Sequence, residues 1–172
     1  VPFQVYPTGV WYGKAMFEEA GVTDVPTTWD EVLDVCQKVK DAGYNPITCN
    51  SDSATLIYGF QLARYIGQDA VLDCFNNSNW ANVPEAKKAA EDIATLVDNG
   101  YFSPNAPAQY PDGQNEIGFG ESCMVLNASW IPNEILQNTG EEVDFGFFPW
   151  PSVDGGVDGA EASMVGAQGF GI

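Results

Sequence analysis

The residues able to do chemistry in this chain are carboxylates and aromatic rings, and the two point to different activities. No histidine occurs among the 172 residues, so neither a Ser-His-Asp nor a Cys-His catalytic arrangement can be drawn. No Gly-Lys-Ser/Thr phosphate loop is present. Gly166-Ala167-Gln168-Gly169-Phe170-Gly171 has the glycines of a dinucleotide run but not their spacing. Glu18-Glu19 and Glu141-Glu142 are adjacent in sequence, so their side chains diverge and read as solvated. A glycosidase needs two carboxylates held across a sugar by tertiary structure, and nothing marks such a pair here. Asp154 and Asp158 sit among glycines, yet the EF-hand pattern is missing and a plain loop is the reading. No catalytic residue, metal ligand or cofactor is assigned.

The rings are the positive signal: five tryptophans, seven tyrosines and ten phenylalanines. Trp29 follows a helix cap and is expected to fold under its helix. Trp11 and Tyr12 read as packing. Trp130 differs, because it follows a strand end and precedes a helix, where α/β folds place ligand sites. A flat ring there can stack on the apolar face of a sugar while polar neighbours hold its hydroxyls. Tyr58 and Tyr6 are secondary candidates, and core packing is the competing reading for each.

Composition narrows the partners. The net charge is −18, from 24 acids and 6 bases, a field that repels phosphate backbones and anionic lipid. Nucleic acid is excluded as a partner, and a neutral or cationic one fits. With 45% hydrophobic and 17% charged residues the chain is globular. At this length it is one domain, able to bury about 70% of its unfolded surface. No apolar stretch approaches the ~20 residues of a membrane-spanning helix. The opening Val1 to Tyr6 and the closing Gly169 to Ile172 both read as strands under way, so residues 1–172 are expected to be a single lobe cut from a longer protein. Cys36, Cys49, Cys74 and Cys123 lack the close spacing of a zinc site. They are expected to be buried thiols or to form one or two disulfides, Cys36 with Cys49 being the first pair to check.

The elements that must position these residues follow from periodicity and punctuation. Trp11 to Ala20 reads as a helix. Thr28 with Glu31 forms a capping box before an apolar stripe of Val32, Val35, Cys36 and Val39. Pro46 to Cys49 is a short strand, Ala54 to Ile66 an apolar helix, and Asp69 to Phe75 a short one. A helix from Val83 or Pro84 to Asn99 buries Ala86, Ala89, Ala90, Ile93, Leu96 and Val97. Ser103 to Gly113 is a loop too long to be a mere connector. Asn115 to Gly120 is a helical turn, and Cys123 to Leu126 a strand. A helix over Ile131 to Leu136 is capped by Ser129 or Asn127. Phe145 to Phe148 and the segment from Val165 are strands. Helices alternating with single strands indicate an α/β fold, a mixed sheet flanked by helices.

Five segments in order also carry a resemblance. Val10-Trp11-Tyr12-Gly13-Lys14 with Phe17-Glu18-Glu19-Ala20-Gly21 is similar to a Trp-Tyr-Asn-Lys…Phe-Glu-Glu-Ala-Gly helix. Pro26 to Glu31, Leu96 to Phe102, Gly120 to Trp130 and Asp144 to Pro151 match further stretches of the same pattern. The chain resembles the extracellular solute-binding proteins of sugar-type ABC importers, the maltose-binding-protein-like group. That resemblance implies one lobe of a periplasmic-binding-protein-like two-lobed fold, of the C-terminal type. It implies a bacterial, extracellular or periplasmic receptor, anchored or free, that closes on a carbohydrate and passes it to permease subunits. Carried over by position, Trp130 stacks on the sugar, Asn127 and Ser129 are polar contacts, and Tyr58 supplies a further ring. Tyr6 lies by the hinge, and Met164 to Gln168 form the returning cleft loop, with Gln168 a contact. Gly13 stands where the pattern has Asn, and Ala128 where it has Gly, narrowing the room beside Trp130. The alternatives are a glycoside hydrolase fragment, a carbohydrate-binding module and a bare interaction domain.

Overall fold

Val10-Trp11-Tyr12 decides how the fold begins. In the computed structural model, which describes residues 1–159 and 161–171, the opening strand runs straight through them. Strand β1 spans Pro2–Gly13, and helix α1 (Lys14–Glu19) starts only after it. The helix expected from Trp11 is therefore corrected to a strand. The reason lies in pairing. Trp11 stands opposite Val125 of β3 (Ser122–Ala128) on one side and Phe147 of β4 (Phe145–Phe148) on the other. A helix there would strip both neighbours of backbone partners. Aromatic cross-strand contact adds to this, with the Trp11 and Phe147 ring centres 4.9 Å apart.

The sheet has five strands in the order β2-β3-β1-β4, with β5 (Met164–Gly169) pairing the front half of β1. Strand β2 (Asn45–Thr48) runs parallel to β3, while β1 is antiparallel to β3, β4 and β5. The fold is thus α/β with a mixed sheet flanked by helices. Two consequences position the site. The carboxyl ends of β2 and β3 emerge at one edge, and the amino-terminal half of β1 lies at that same edge. Thr8 marks the meeting point, paired with Ala128 of β3 and Met164 of β5.

Helix α2 (Trp29–Asp41) begins as its sequence requires. Glu31 N donates to Thr28 Oγ1 at 3.3 Å, and Thr28 N donates back to Glu31 Oε2 at 3.1 Å. Its stripe of Val32, Val35, Cys36 and Val39 is buried, and Trp29 lies beneath it against Trp150. Helix α3 (Ala54–Ile66) packs on α5 (Pro84–Asp98), with α4 (Gln68–Asn77) and a 3-10 turn (Trp80–Asn82) between them in sequence. Helices α6 (Asp112–Gly118) and α7 (Ile131–Thr139) pack against each other. On one sheet face Val10, Met124, Leu126 and Phe148 close against Val32 and Ile57. Strand β3 is buried along its whole length.

The stripe of α5 is narrower than its sequence suggests. Ala89 and Leu96 are fully buried, but Ala90 is exposed and Val97 is 59% exposed. Each lies one residue round the helix from the buried line, past the edge that α3 covers. All four cysteines are free and buried, so the Cys36–Cys49 bridge is not formed. Burial pushes the Cys49 thiol up to about 11 and the Cys123 thiol up to about 12, which keeps both protonated and poorly nucleophilic at neutral pH. Among the described residues no helix is long and apolar enough to cross a membrane.

Candidate functional site

Trp130 stands where β3 hands over to α7, at the carboxyl edge of the two parallel strands. It occupies the residue before the first helical turn with its own backbone already helical, and no side chain caps the helix there. The capping expected of Asn127 or Ser129 is corrected accordingly. Pro132, in the first turn, instead removes a backbone N–H that would have had no partner. The indole is 37% exposed and meets the Tyr6 ring edge-on, centroids 5.0 Å apart at 76°. Tyr6 is half-buried on β1, opposite Gly166 of β5. Gln168 pairs with Gln4, two residues along from that pair, so it sits on the same pleat as Tyr6 and is exposed. Met164 to Gln168 are strand, as the residues from Val165 predict, and not the loop that the resemblance implies.

The polar candidates are placed differently. Asn127 is 6% exposed and pairs with Gly9, an odd step from Tyr6, which puts it on the opposite pleat. Its Oδ1 accepts from Ala128 N at 2.8 Å, and its carbonyl accepts from Trp11 Nε1 at 3.2 Å. Ser129 is half-buried beside Trp130 in sequence. Tyr58 points into the α3–α5 layer, its hydroxyl donating to the Ala86 carbonyl at 3.2 Å. There it lines a separate cavity of about 370 Å³ with Ile93, Val97 and Phe102. The structure thus brings Tyr6 and Trp130 into contact with Gln168 on the Tyr6 pleat, and leaves Tyr58 elsewhere.

Residues following β2, in the first turn of α6 and in α7 also come together. Gln114 Nε2 donates to Glu134 Oε2 at 2.8 Å, and Asn50 Nδ2 donates to Gln114 Oε1 at 2.9 Å. Gln114 N returns a bond to Asn50 Oδ1 at 3.2 Å. Asn50 and Gln114 are completely buried, so this amide chain is a rigid internal strut. Gly113 lets it form, because a Cβ at that position would fall 2.6 Å from the Cys49 carbonyl oxygen. Glu134 is half-buried one turn beyond Trp130, its N–H donating to the Trp130 carbonyl at 3.0 Å. Tyr110 lies beside it, 47% exposed. Its phenol is raised by partial burial first, then by the charge and hydrogen bonding of Glu134 and the charge of Asp52. Tyr110, Asn50, Gln114 and Glu134 are functional candidates that the sequence reading missed. The length of the Ser103 to Gly113 loop was a signal for Tyr110 alone, and nothing in the sequence marks the other three.

The whole chain, residues 1–172, matches the model of the bacterial extracellular solute-binding protein family. The chain belongs to that family. Among relatives of known role, the diacetylchitobiose binding protein NgcE of Streptomyces coelicolor is 30% identical over 152 residues, covering 84% of this chain and 32% of that protein. The multiple sugar-binding protein of Streptococcus mutans is 24% identical over 160 residues, 88% of this chain and 38% of its own length. A solved chitin oligosaccharide binding protein superposes with a TM-score of 0.80 at 24% identity, covering 89% of this chain and 40% of that one. This solute-binding chain therefore spans about a third of the curated relatives it matches. These relatives are binding proteins by name.

Tyr6 is half-buried, and Trp130 and Tyr110 are 37% and 47% exposed. Beside them the ribbon of β1 and β5 carries exposed apolar groups. Phe3 stacks on Phe170 with centroids 4.9 Å apart, and Val5 and Val165 are exposed as well.

Proposed function

We propose that residues 1–172 form one lobe of a receptor that binds a sugar or oligosaccharide between two lobes and delivers it, unaltered, to an ABC importer permease. The observation that carries this reading is the edge-on pair of Tyr6 and Trp130 at the carboxyl edge of parallel strands, with the Trp130 ring partly open. An indole in that position offers an apolar plane to the C–H face of a sugar ring, and nearby amides and carboxylates serve its hydroxyls. The named sugar-binding relatives support the choice of ligand class. The exposed Phe3–Phe170 ribbon supports a second lobe, since that much apolar surface is unusual on a free face. The relatives named as binding proteins support binding without turnover. The receptor works outside the cytoplasmic membrane, at the cell surface or in the periplasm.

Calorimetry on the full-length protein with neutral oligosaccharides, diacetylchitobiose and raffinose among them, tests this. Saturable binding with the sugar recovered intact is expected. Cleaved or transferred product would make the protein an enzyme and end the receptor reading.

A further inference from the structure

We infer that Glu134 selects the ligand's chemistry, so that this lobe takes an uncharged sugar whose hydroxyls donate to that carboxylate, and rejects acidic sugars. The inference rests on the receptor reading above. Three observations carry it.

First, Glu134 is aimed. It follows Trp130 by one helical turn, so both side chains share a face of α7. One carboxylate oxygen is tied by Gln114 Nε2 at 2.8 Å, and Gln114 is tied by Asn50 at 2.9 Å. Burying two amides is costly unless their bonds are complete, and here they complete each other and end on this carboxylate. The half-buried carboxylate also hydrogen-bonds the 47% exposed Tyr110 phenol, so it reaches the surface beside a ring that is open to solvent.

Second, no cation of the lobe is available to balance a negative ligand. Lys14 is paired with Asp144 at 2.8 Å, at the far end of β1 from Tyr6. Lys38 and Lys40 lie on α2, and Lys40 donates to the Asn99 carbonyl. Lys87 and Lys88 lie on α5, one paired with Glu91 and the other over the Tyr65 ring. Arg64 is 3% exposed and spends its guanidinium on backbone carbonyls. These are all six bases of the chain.

Third, the remaining charge nearby is negative. Asp52 is exposed and, with Glu134, bears on the phenol of Tyr110. A uronate, sulfate or phosphate at this edge would meet like charge with no balancing base from the described residues. A hydroxyl meets an oriented, charge-assisted acceptor, the stronger kind of hydrogen bond.

The test uses the full-length protein and calorimetric titration with diacetylchitobiose, raffinose and mannobiose, and with digalacturonate as the anionic probe. The tightest neutral sugar is expected to bind at least about 10-fold more tightly than digalacturonate. Glu134→Gln keeps the side-chain shape and an acceptor for Gln114. It should weaken the neutral sugar about 10-fold or more and narrow the gap to digalacturonate. A purely structural role would weaken both probes equally, so an unchanged ratio overturns the inference. So does digalacturonate binding as tightly as the neutral sugars, an outcome that leaves the receptor reading intact. Failure of every neutral sugar removes the receptor reading and this inference together.

Discussion

Trp130→Ala in the full-length protein is expected to weaken sugar binding by about 30-fold or more while leaving thermal unfolding nearly unchanged. The two halves of that result come from the same geometry. The indole is 37% exposed and its aromatic partner is Tyr6 at 5.0 Å, so truncation removes little packing from the fold. In the proposed binding mode, the ring loses its remaining contact with water against the sugar. Central aromatic anchors of this kind cost about 2 kcal/mol or more when cut to Ala, which is about 30-fold in affinity. Calorimetry and a melting curve on the same preparation decide it. Unchanged affinity would remove Trp130 from the site, and a large fall in melting temperature would make it a core residue.

The largest effect on stability is expected at Arg64. Its side chain reaches from α3 to the segment joining β4 to β5, donating to the Trp150 carbonyl at 2.6 Å and the Pro151 carbonyl at 3.0 Å. It also donates to the Ala162 carbonyl, just before Ser163 bonds the carbonyl of Thr8 on β1. The arginine is thereby the strut that delivers β5 to the edge where Tyr6 and Gln168 stand. Burial lowers its pKa, while the charges of Asp158 and Glu161 oppose the shift. A guanidinium begins so high that it stays charged. Arg64→Met leaves those carbonyls without donors, at about 1–3 kcal/mol for each buried group. The total is about 3–5 kcal/mol, or a melting temperature lower by about 6–20 °C. Arg64→Lys should recover little of this, since a single ammonium cannot span the same fork. A variant melting with the parent would show the strut to be dispensable.

How much of this was legible beforehand depended on whether the cause was local. The Thr28–Glu31 capping box, the bounds Ala54–Ile66 of α3 and the strand Phe145–Phe148 are each set by residues within a few positions of one another. Trp11 misled because its spacing to Ala15 fits a helix, while the partners that hold it in a strand come from β3 and β4, more than a hundred residues away. Ala90 and Val97 misled because periodicity locates a stripe but not its width, which here depends on how much of α5 is covered by α3. At the site, Trp130 and Tyr6 were readable as rings near strand ends. That they touch was not, since the antiparallel pairing of β1 with β3 makes the contact. Glu134, Gln114 and Asn50 come from three segments that are polar and ordinary in sequence. Only the buried amide chain gives them a common purpose. Tyr58 shows the reverse, an aromatic at a promising position that the helix turns toward α5.

The most direct measurement labels the full-length protein with 5-fluorotryptophan and follows the 19F resonances as diacetylchitobiose, raffinose or mannobiose is added. The Trp130 resonance, assigned by Trp130→Phe, should shift with saturation, while those of the buried Trp29 and Trp150 stay in place. If a sugar binds and the Trp130 signal does not move, the open indole at the end of β3 is not where the ligand rests.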